Sequence, residues 1–244
     1  MSARFEPLAF APGYRRVAGE IAARILDRTL KVGEPLPSEL ELAAQFGVNR
    51  SMIREALREL ESADLIARRR GTKRMVVVRP AAAQVAGRLR QAFALNDVTV
   101  REVWQMLEVL EPPAAQSAAA ARTPATLARI ESAVAGYRGA HRQAPLAVEG
   151  VGEFFRAIAG ASGNRLLPLI QEPLLQLLAA ALGVLIEAVP PARERIGIAQ
   201  ERICAAIADG DGELARNWMA KHVRDFRRGF ELCRIELDTP VPLG

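Results

Sequence analysis

Arg50, Arg54 and Arg58 recur every four residues, a spacing that lines three guanidinium groups along one face of a helix. Asn49 and Ser51 flank the first of them, so a helix starting here presents an amide, a hydroxyl and two guanidiniums at its leading end. The planar fork of an arginine matches guanine O6 and N7 in the DNA major groove, a contact worth about 1–3 kcal/mol of discrimination. Asn and Ser suit phosphate oxygens or base edges. A second basic group follows, Arg68, Arg69, Arg70, Lys73 and Arg74, wrapped around Gly71 and Thr72. Such a cluster is suited to following a phosphate backbone or entering the minor groove. Taken alone, a charge run of this kind is more often a solvated basic face. Its neighbours decide the matter.

The apolar positions Val17, Ile21 and Ile25, backed by Ala18 and Ala22, predict a first helix that ends before Gly33. Two prolines, Pro35 and Pro37, precede Ser38, which can N-cap a second helix with Glu41 completing a capping box. That helix turns Leu42, Ala43 and Phe46 inward and stops at Gly47, where Gly supplies the positive φ of a C-cap. After the turn Gly47-Val48-Asn49 comes the arginine helix, with Ile53, Leu57 and Leu60 on its inner face. Two short helices around a turn of this length make a helix-turn-helix. Leu65-Ile66-Ala67 and Met75-Val76-Val77-Val78 read as two strands, and the hairpin they form carries the second basic group as a wing.

The charge balance divides at the same place. Of 33 Lys and Arg and 28 Asp and Glu in the 244 residues, 15 basic and 10 acidic residues lie within 1–80, and the remainder cancel. The whole net charge of +5 therefore belongs to the first third, a basic module followed by a neutral one. Cys204 and Cys233 are too few for a disulfide framework or a thiolate zinc site, and are expected as small buried hydrophobes in a reducing cytosol. The longest apolar run, Leu174 to Val189, is interrupted by Gln176, Gly183 and Glu187, so no membrane span is expected. The N-terminus lacks an apolar signal region, and the expected location is cytoplasmic.

Pro80 and the alanines after it mark a boundary, and beyond about residue 85 only helical periodicity remains. Leu107, Leu110 and Ala114 form one stripe, and Leu127, Ile130, Val134 and Tyr137 another. The apolar stretch from Leu166 to Leu185 is expected to be buried on most sides. Leu214, Trp218, His222, Phe226 and Phe230 recur at four-residue spacing on a last long helix. Six or seven helices in a bundle are expected. The module holds no Cys/His pair and no clustered carboxylates, so no nucleophile–base arrangement supports an enzyme. His141, in a polar stretch, is expected to be exposed.

Residues 14–79 resemble the winged-helix DNA-binding domain of the GntR family of bacterial regulators. The stretches that carry the resemblance are Leu36-Pro37-Ser38-Glu39, Glu41-Leu42-Ala43, Phe46-Gly47-Val48-Asn49-Arg50 and Ile53 through Leu60. The resemblance implies that Arg50 and Arg54 contact guanines, that Asn49 and Ser51 contact phosphates or bases, and that Gly71 at the wing tip approaches the minor groove. Leu40 stands where many members carry a base-contacting Arg, and the wing lacks the second glycine of the usual Gly-x-Gly-Thr. A different operator and the same mode of docking follow.

Residues from about 100 to 235 resemble the all-helical FCD effector domain of the FadR subfamily, through Leu110-Glu111-Pro112, Phe154 to Asn164, Ala206 to Asp211 and Met219-Ala220-Lys221-His222. In most such domains one Asp and three His hold a divalent metal that helps to bind a carboxylate effector. At those positions this chain has Val151, Phe155, Gln200 and His222. One histidine does not make a stable site, so no metal and no cofactor is expected. The four positions are instead expected to line a greasier effector pocket, unless the cavity has collapsed around a core histidine.

The sequence thus predicts a mostly α protein: a winged helix-turn-helix DNA-binding domain at 1–80, a linker at 81–100, and an all-helical effector-binding and dimerisation domain at 101–244. The expected DNA contacts are Ser38, Asn49, Arg50, Ser51, Arg54, Arg69, Arg70, Gly71, Lys73 and Arg74. The expected partners are a double-stranded DNA operator, a second copy of the chain and a small hydrophobic or carboxylate effector, with no membrane. The function expected is a sequence-specific, ligand-responsive dimeric regulator of a metabolic operon. The alternative is a ligand-independent regulator with a collapsed pocket.

Overall fold

A computed structural model of the chain describes residues 13–69, 71, 72, 74–140 and 142–241. Contacts between Cα atoms divide it into two compact units, Met1–Ala81 and Ala82–Gly244. Ten helices and one two-stranded sheet occur among the described residues.

The first unit contains α1 (Gly13–Leu26), α2 (Glu39–Phe46), α3 (Arg50–Ser62), β1 (Ile66–Arg68) and β2 (Met75–Val77). The capping box at α2 is present in full: Glu41 N–H donates to Ser38 Oγ at 3.3 Å, and Ser38 N–H to Glu41 Oε2 at 2.7 Å. Gly47 ends α2 at φ +65°, where a side chain would be strained. Val17, Ile21, Leu42, Ile53, Leu57 and Leu60 form the core with Ile66 and Val77 of the hairpin. The strands pair antiparallel, Ile66 opposite Val77 and Arg68 opposite Met75. Between them the chain turns tightly, with Arg69 N–H donating to the Arg74 carbonyl and Thr72 N–H to the Arg69 carbonyl. Gly71, at φ +76°, supplies the left-handed residue of that turn.

The second unit holds seven helices: α4 (Ala82–Leu95), α5 (Val100–Ala121), α6 (Pro124–Ala140), α7 (Ala144–Ala161), α8 (Leu167–Ala188), α9 (Pro190–Asp209) and α10 (Gly212–Leu232). Most of the stretch 81–100, expected as a linker, is α4, which packs on α8. Thr99 and Glu102 form a second capping box that starts α5. Neighbouring pairs such as α5 with α10 and α6 with α7 enclose one continuous core, which includes Ile130, Tyr137, Phe154, Ile158, Ile186 and Ile203.

Two expectations about apolar surface change. The apolar helix α8 begins at Leu167 and extends through Pro173, so the run is longer than Leu174 to Val189. It is 22 residues long and contains an 18-residue stretch with a mean hydropathy of 1.8, so by length and composition it could cross a membrane, and half of that stretch is buried inside the bundle. Its exposed positions include Ile170 and Val184, so burial is one-sided rather than all round. On α10 the inward stripe begins late: Leu214 is exposed near the helix start, whereas His222, Phe226 and Phe230 are buried. Cys204 is buried and Cys233 half-buried.

Candidate nucleic-acid interface and helical-unit cavity

The leading end of α3 lies at the surface because its other face is the core. Ile53, Ala56, Leu57 and Leu60 point inward, which leaves Arg50, Ser51, Arg54 and Arg58 exposed. Arg50, Arg54, Arg68 and Arg74 line a concave surface of about 580 Å³ together with Ser38 and Leu40. Five arginines and two glutamates border it in all, leaving three positive charges in excess. Glu39 lies among them. Its Oε2 is 2.9 Å from Arg54 Nε and 3.5 Å from Arg50 Nη2. The Arg54 hydrogen bond leads among the causes that hold the Glu39 carboxyl below its ordinary value.

The expected DNA contacts divide accordingly. Ser38, Arg50, Arg54 and Arg74 border the concavity, while Ser51, Arg69 and Gly71 are exposed beside it in sequence. Arg70 and Lys73 lie outside the described residues, as does His141. Two of them also cap helices. Ser38 caps α2 as its sequence context predicts, and Asn49, whose context does not reveal it, is the N-cap of α3, its Oδ1 accepting from Met52 N–H at 2.9 Å. Glu39 was missed; its signal was a carboxylate directly after the N-cap Ser and before two arginines on the next helix.

In the second unit, α7 positions Val151 and Phe155 one turn apart. Both are buried, and both line an apolar cavity of about 130 Å³ between α5, α7, α8 and α10. Gln200 and His222 do not line that cavity. His222 stacks on Phe155 with ring centroids 5.8 Å apart and packs against Phe226 at 4.6 Å. It borders a much smaller void of about 10 Å³ beside Leu185, Ile196 and Asp225. Burial pushes the His222 pKa down to about 3, so the ring is neutral. Gln200 is fully buried on α9, and neither end of its amide has a protein partner.

A divalent metal does not fit these residues. Val151 and Phe155 have no donor atom, and Gln200 offers only a neutral amide. Among the described residues, no three His, Cys, Asp or Glu side chains come together. Nearby, Glu111 of α5 is fully buried and its Oε1 accepts from Gln171 Nε2 at 2.8 Å. Burial pushes its pKa up to about 8 against that hydrogen bond, so it stays protonated at neutral pH.

The mouth of the cavity is charged. Arg156 donates to Glu172 from Nε (2.7 Å) and Nη2 (3.2 Å), and from Nη1 to Glu149 (3.0 Å) and Glu153 (2.8 Å). Hydrogen bonds to Glu172, ahead of all other causes, raise the Arg156 pKa. Burial pushes Glu172 up, but its bonds from Arg156 and Gln176 outweigh that and hold it below the ordinary carboxylate range.

Residues 13–76 match the family described as bacterial regulatory proteins, gntR family, and residues 102–225 match the FCD domain. The chain is 28% identical over 198 residues to the HTH-type transcriptional regulator LutR of Bacillus subtilis, covering 80% of this chain and 90% of that protein. It is 30% identical over 181 residues to the HTH-type transcriptional repressor NanR of Edwardsiella tarda, covering 73% and 69%. A solved Streptococcus agalactiae GntR shares the fold, with a TM-score of 0.60 over 88% of this chain and 99% of that one at 23% identity. With its arginine-bearing winged helix and its helical FCD unit, the chain belongs to the gntR family of bacterial regulatory proteins and is a DNA-binding transcriptional regulator.

Proposed function

We propose that this regulator is a sequence-specific, ligand-responsive homodimer of the FadR type that controls a metabolic operon from the cytoplasm, without enzymatic activity. The observation that carries the DNA reading is the concave surface bordered by Arg50, Arg54, Arg68 and Arg74 at the leading end of α3. Arg50 and Arg54 supply base readout, with Ser38, Asn49 and Ser51 at phosphates or neighbouring bases. The wing, with Arg69, Arg70, Gly71, Lys73 and Arg74, follows the backbone into the minor groove. A dimer presents two such helices, and their spacing must match half-sites about one helical turn apart. An effector held in the helical unit shifts that spacing and thereby the operator affinity.

The cavity at Val151 and Phe155 supports the effector reading, because an apolar space persists where the family's metal chemistry has no ligands. The ligand-independent alternative has one observation in its favour: His222 is packed tightly among Phe154, Phe155 and Phe226. We assign DNA binding to 1–80 and effector binding and dimerisation to 101–244, the second compact unit also holding α4.

The test is binding to the DNA upstream of the protein's own gene as salt is varied. Operator preference over random DNA and a steep salt dependence are expected. A flat response, or no preference, overturns the DNA reading.

A further inference from the structure

The class of ligand that fits the helical unit follows from the charges at its cavity mouth. Resting on the reading that this unit takes an effector, we propose that the cavity binds a small arylalkyl amine rather than a carboxylate. Its aromatic ring would sit between α5, α7, α8 and α10, and its ammonium at Glu149 and Glu153.

The body of the ligand is set by volume and lining. The cavity measures about 130 Å³, and Trp104, Phe155, Phe226 and Phe230 contribute to its wall beside Leu107 and Leu182. An apolar cavity of about 150 Å³ takes a benzene-sized guest, so one aromatic ring matches the space. Aromatic walls favour such a guest further through edge and offset ring contacts.

The head group is set by charge. Arg156, Glu149 and Gln176 are the polar side chains at the cavity wall, and Arg156 is already committed. A guanidinium carries five N–H groups. Four of those of Arg156 are engaged by Glu149, Glu153 and Glu172. A ligand carboxylate would therefore find at most one Arg156 N–H, beside three carboxylates that leave two negative charges uncompensated. Arg227, whose guanidinium lies over the ring of the lining residue Trp104 at 5.1 Å, is paired with Glu231 at 2.9 Å.

An ammonium meets the opposite situation. The Glu149 and Glu153 side chains are 65% and 55% exposed, so they accept a cation without stripping it of water. Their spare carboxylate oxygens are the acceptors. Exposure also limits the attraction by solvent screening, which bounds the expected preference to about ten-fold rather than a thousand-fold.

The experiment is calorimetric titration of the full-length protein at pH 7 with three probes of one shape: 2-phenylethylamine, 2-phenylethanol and 3-phenylpropionate. The amine is expected to bind about ten-fold more tightly than the propionate, with the alcohol between them. The Glu149→Gln/Glu153→Gln double variant should bring the amine close to the alcohol, and Ala179→Phe should block all three by filling the cavity. Both glutamates are surface residues, so the double variant keeps the test valid if Ala179→Phe does not fold. Propionate binding as tightly as the amine overturns the amine assignment and leaves the effector reading standing. Amine binding unchanged in the double variant also overturns it. If none of the probes binds, the amine assignment falls, and with it the reading of this cavity as a ligand site.

Discussion

In the DNA-binding unit the polar groups proposed to contact DNA lie outside, while in the helical unit the unusual polar groups lie within. The Arg50 and Arg54 side chains are 57% and 54% exposed and share Glu39 as a partner. Glu111, Gln171, Gln200 and His222 are at most 2% exposed, and five of their side-chain atoms lack a protein partner. Exposed ion pairs add little to stability, so the first arrangement leaves its charges free to exchange partners for DNA. Buried polar groups without partners cost stability, so the second must be held by the packing around it. Substitution should therefore separate the two units: changes at the arginines alter binding and spare the fold, and changes around Phe155 do the reverse.

The largest effect is expected at Phe155 itself. It touches Phe154, His222 and Phe226 and walls the cavity, so Phe155→Ala removes a buried ring at the centre of the helical unit. A loss of about 3–5 kcal/mol is expected in urea unfolding of the full chain. A loss below about 1 kcal/mol would show that the surroundings collapse freely, and the contrast between the units would weaken.

Arg50→Ala is expected to cost about 1–3 kcal/mol of operator binding and to relax specificity at one base pair, measured by salt-controlled titration. Its unfolding midpoint should hardly move, because an exposed arginine contributes within about 0.5 kcal/mol. A wing substitution such as Arg74→Ala should weaken all sequences alike and lower the salt slope by about one. If Arg50→Ala unfolds the protein instead, Arg50 belongs to the structure and not to the interface.

The buried carboxyl gives the helical unit a pH signature. Glu111 titrates near its ordinary 4.5 when unfolded and at about 8 when folded. Above about pH 4.5 the folded state therefore binds more protons than the unfolded one, and stability falls as the pH rises towards 8. His222 acts oppositely: its folded value of about 3 lies below the ordinary 6.5, so stability falls as the pH drops below 6.5. Between 4.5 and 6.5 the two slopes offset, and above 6.5 Glu111 acts alone. Glu111→Gln should flatten the upper slope and gain about 1–3 kcal/mol at pH 8 relative to pH 5. An unchanged slope would mean that Glu111 is not the titrating group.

The helix-turn-helix was legible because its signals are local. Ser38 with Glu41 and Gly47 act within one turn of chain, and the sequence pattern contains everything they need. Asn49 shows where this stops: an N-cap amide and a DNA-contacting amide have the same sequence context, and only the 2.9 Å bond to Met52 N–H identifies the cap. In the helical unit, the family resemblance puts Val151 and Phe155 in one expected pocket with Gln200 and His222. It could not separate the cavity that Val151 and Phe155 line from the His222 and Gln200 positions packed elsewhere, because that depends on which neighbouring helices supply the other walls. In the sequence Glu111 stands out only as the middle of Leu110-Glu111-Pro112. A single Glu among apolar residues does not reveal its burial until α8 brings Gln171 to meet it. Likewise α4 was hidden in an expected linker, since Pro80 and the following alanines signal a break, while the packing that makes 82–95 helical is contact with α8, far along the chain.

The smallest effect tests whether the exposed charges merely neutralise one another. Glu39 holds Arg54 at 2.9 Å and Arg50 at 3.5 Å, so DNA bound as proposed would compete with it for both guanidiniums. Glu39→Gln removes one negative charge beside the phosphates, which should raise affinity for any DNA by about 0.5–1 kcal/mol at low salt. If the carboxylate also aims the two forks, the same variant should lose operator preference over random DNA while total affinity rises. Competition titrations at two salt concentrations separate these contributions, because non-specific attraction is screened and base readout is not. A variant with higher affinity and full preference would make Glu39 a charge counterweight alone. Lower preference would make it a positioning residue, and the DNA-binding unit would then depend on preorganised polar contacts where the helical unit depends on packing.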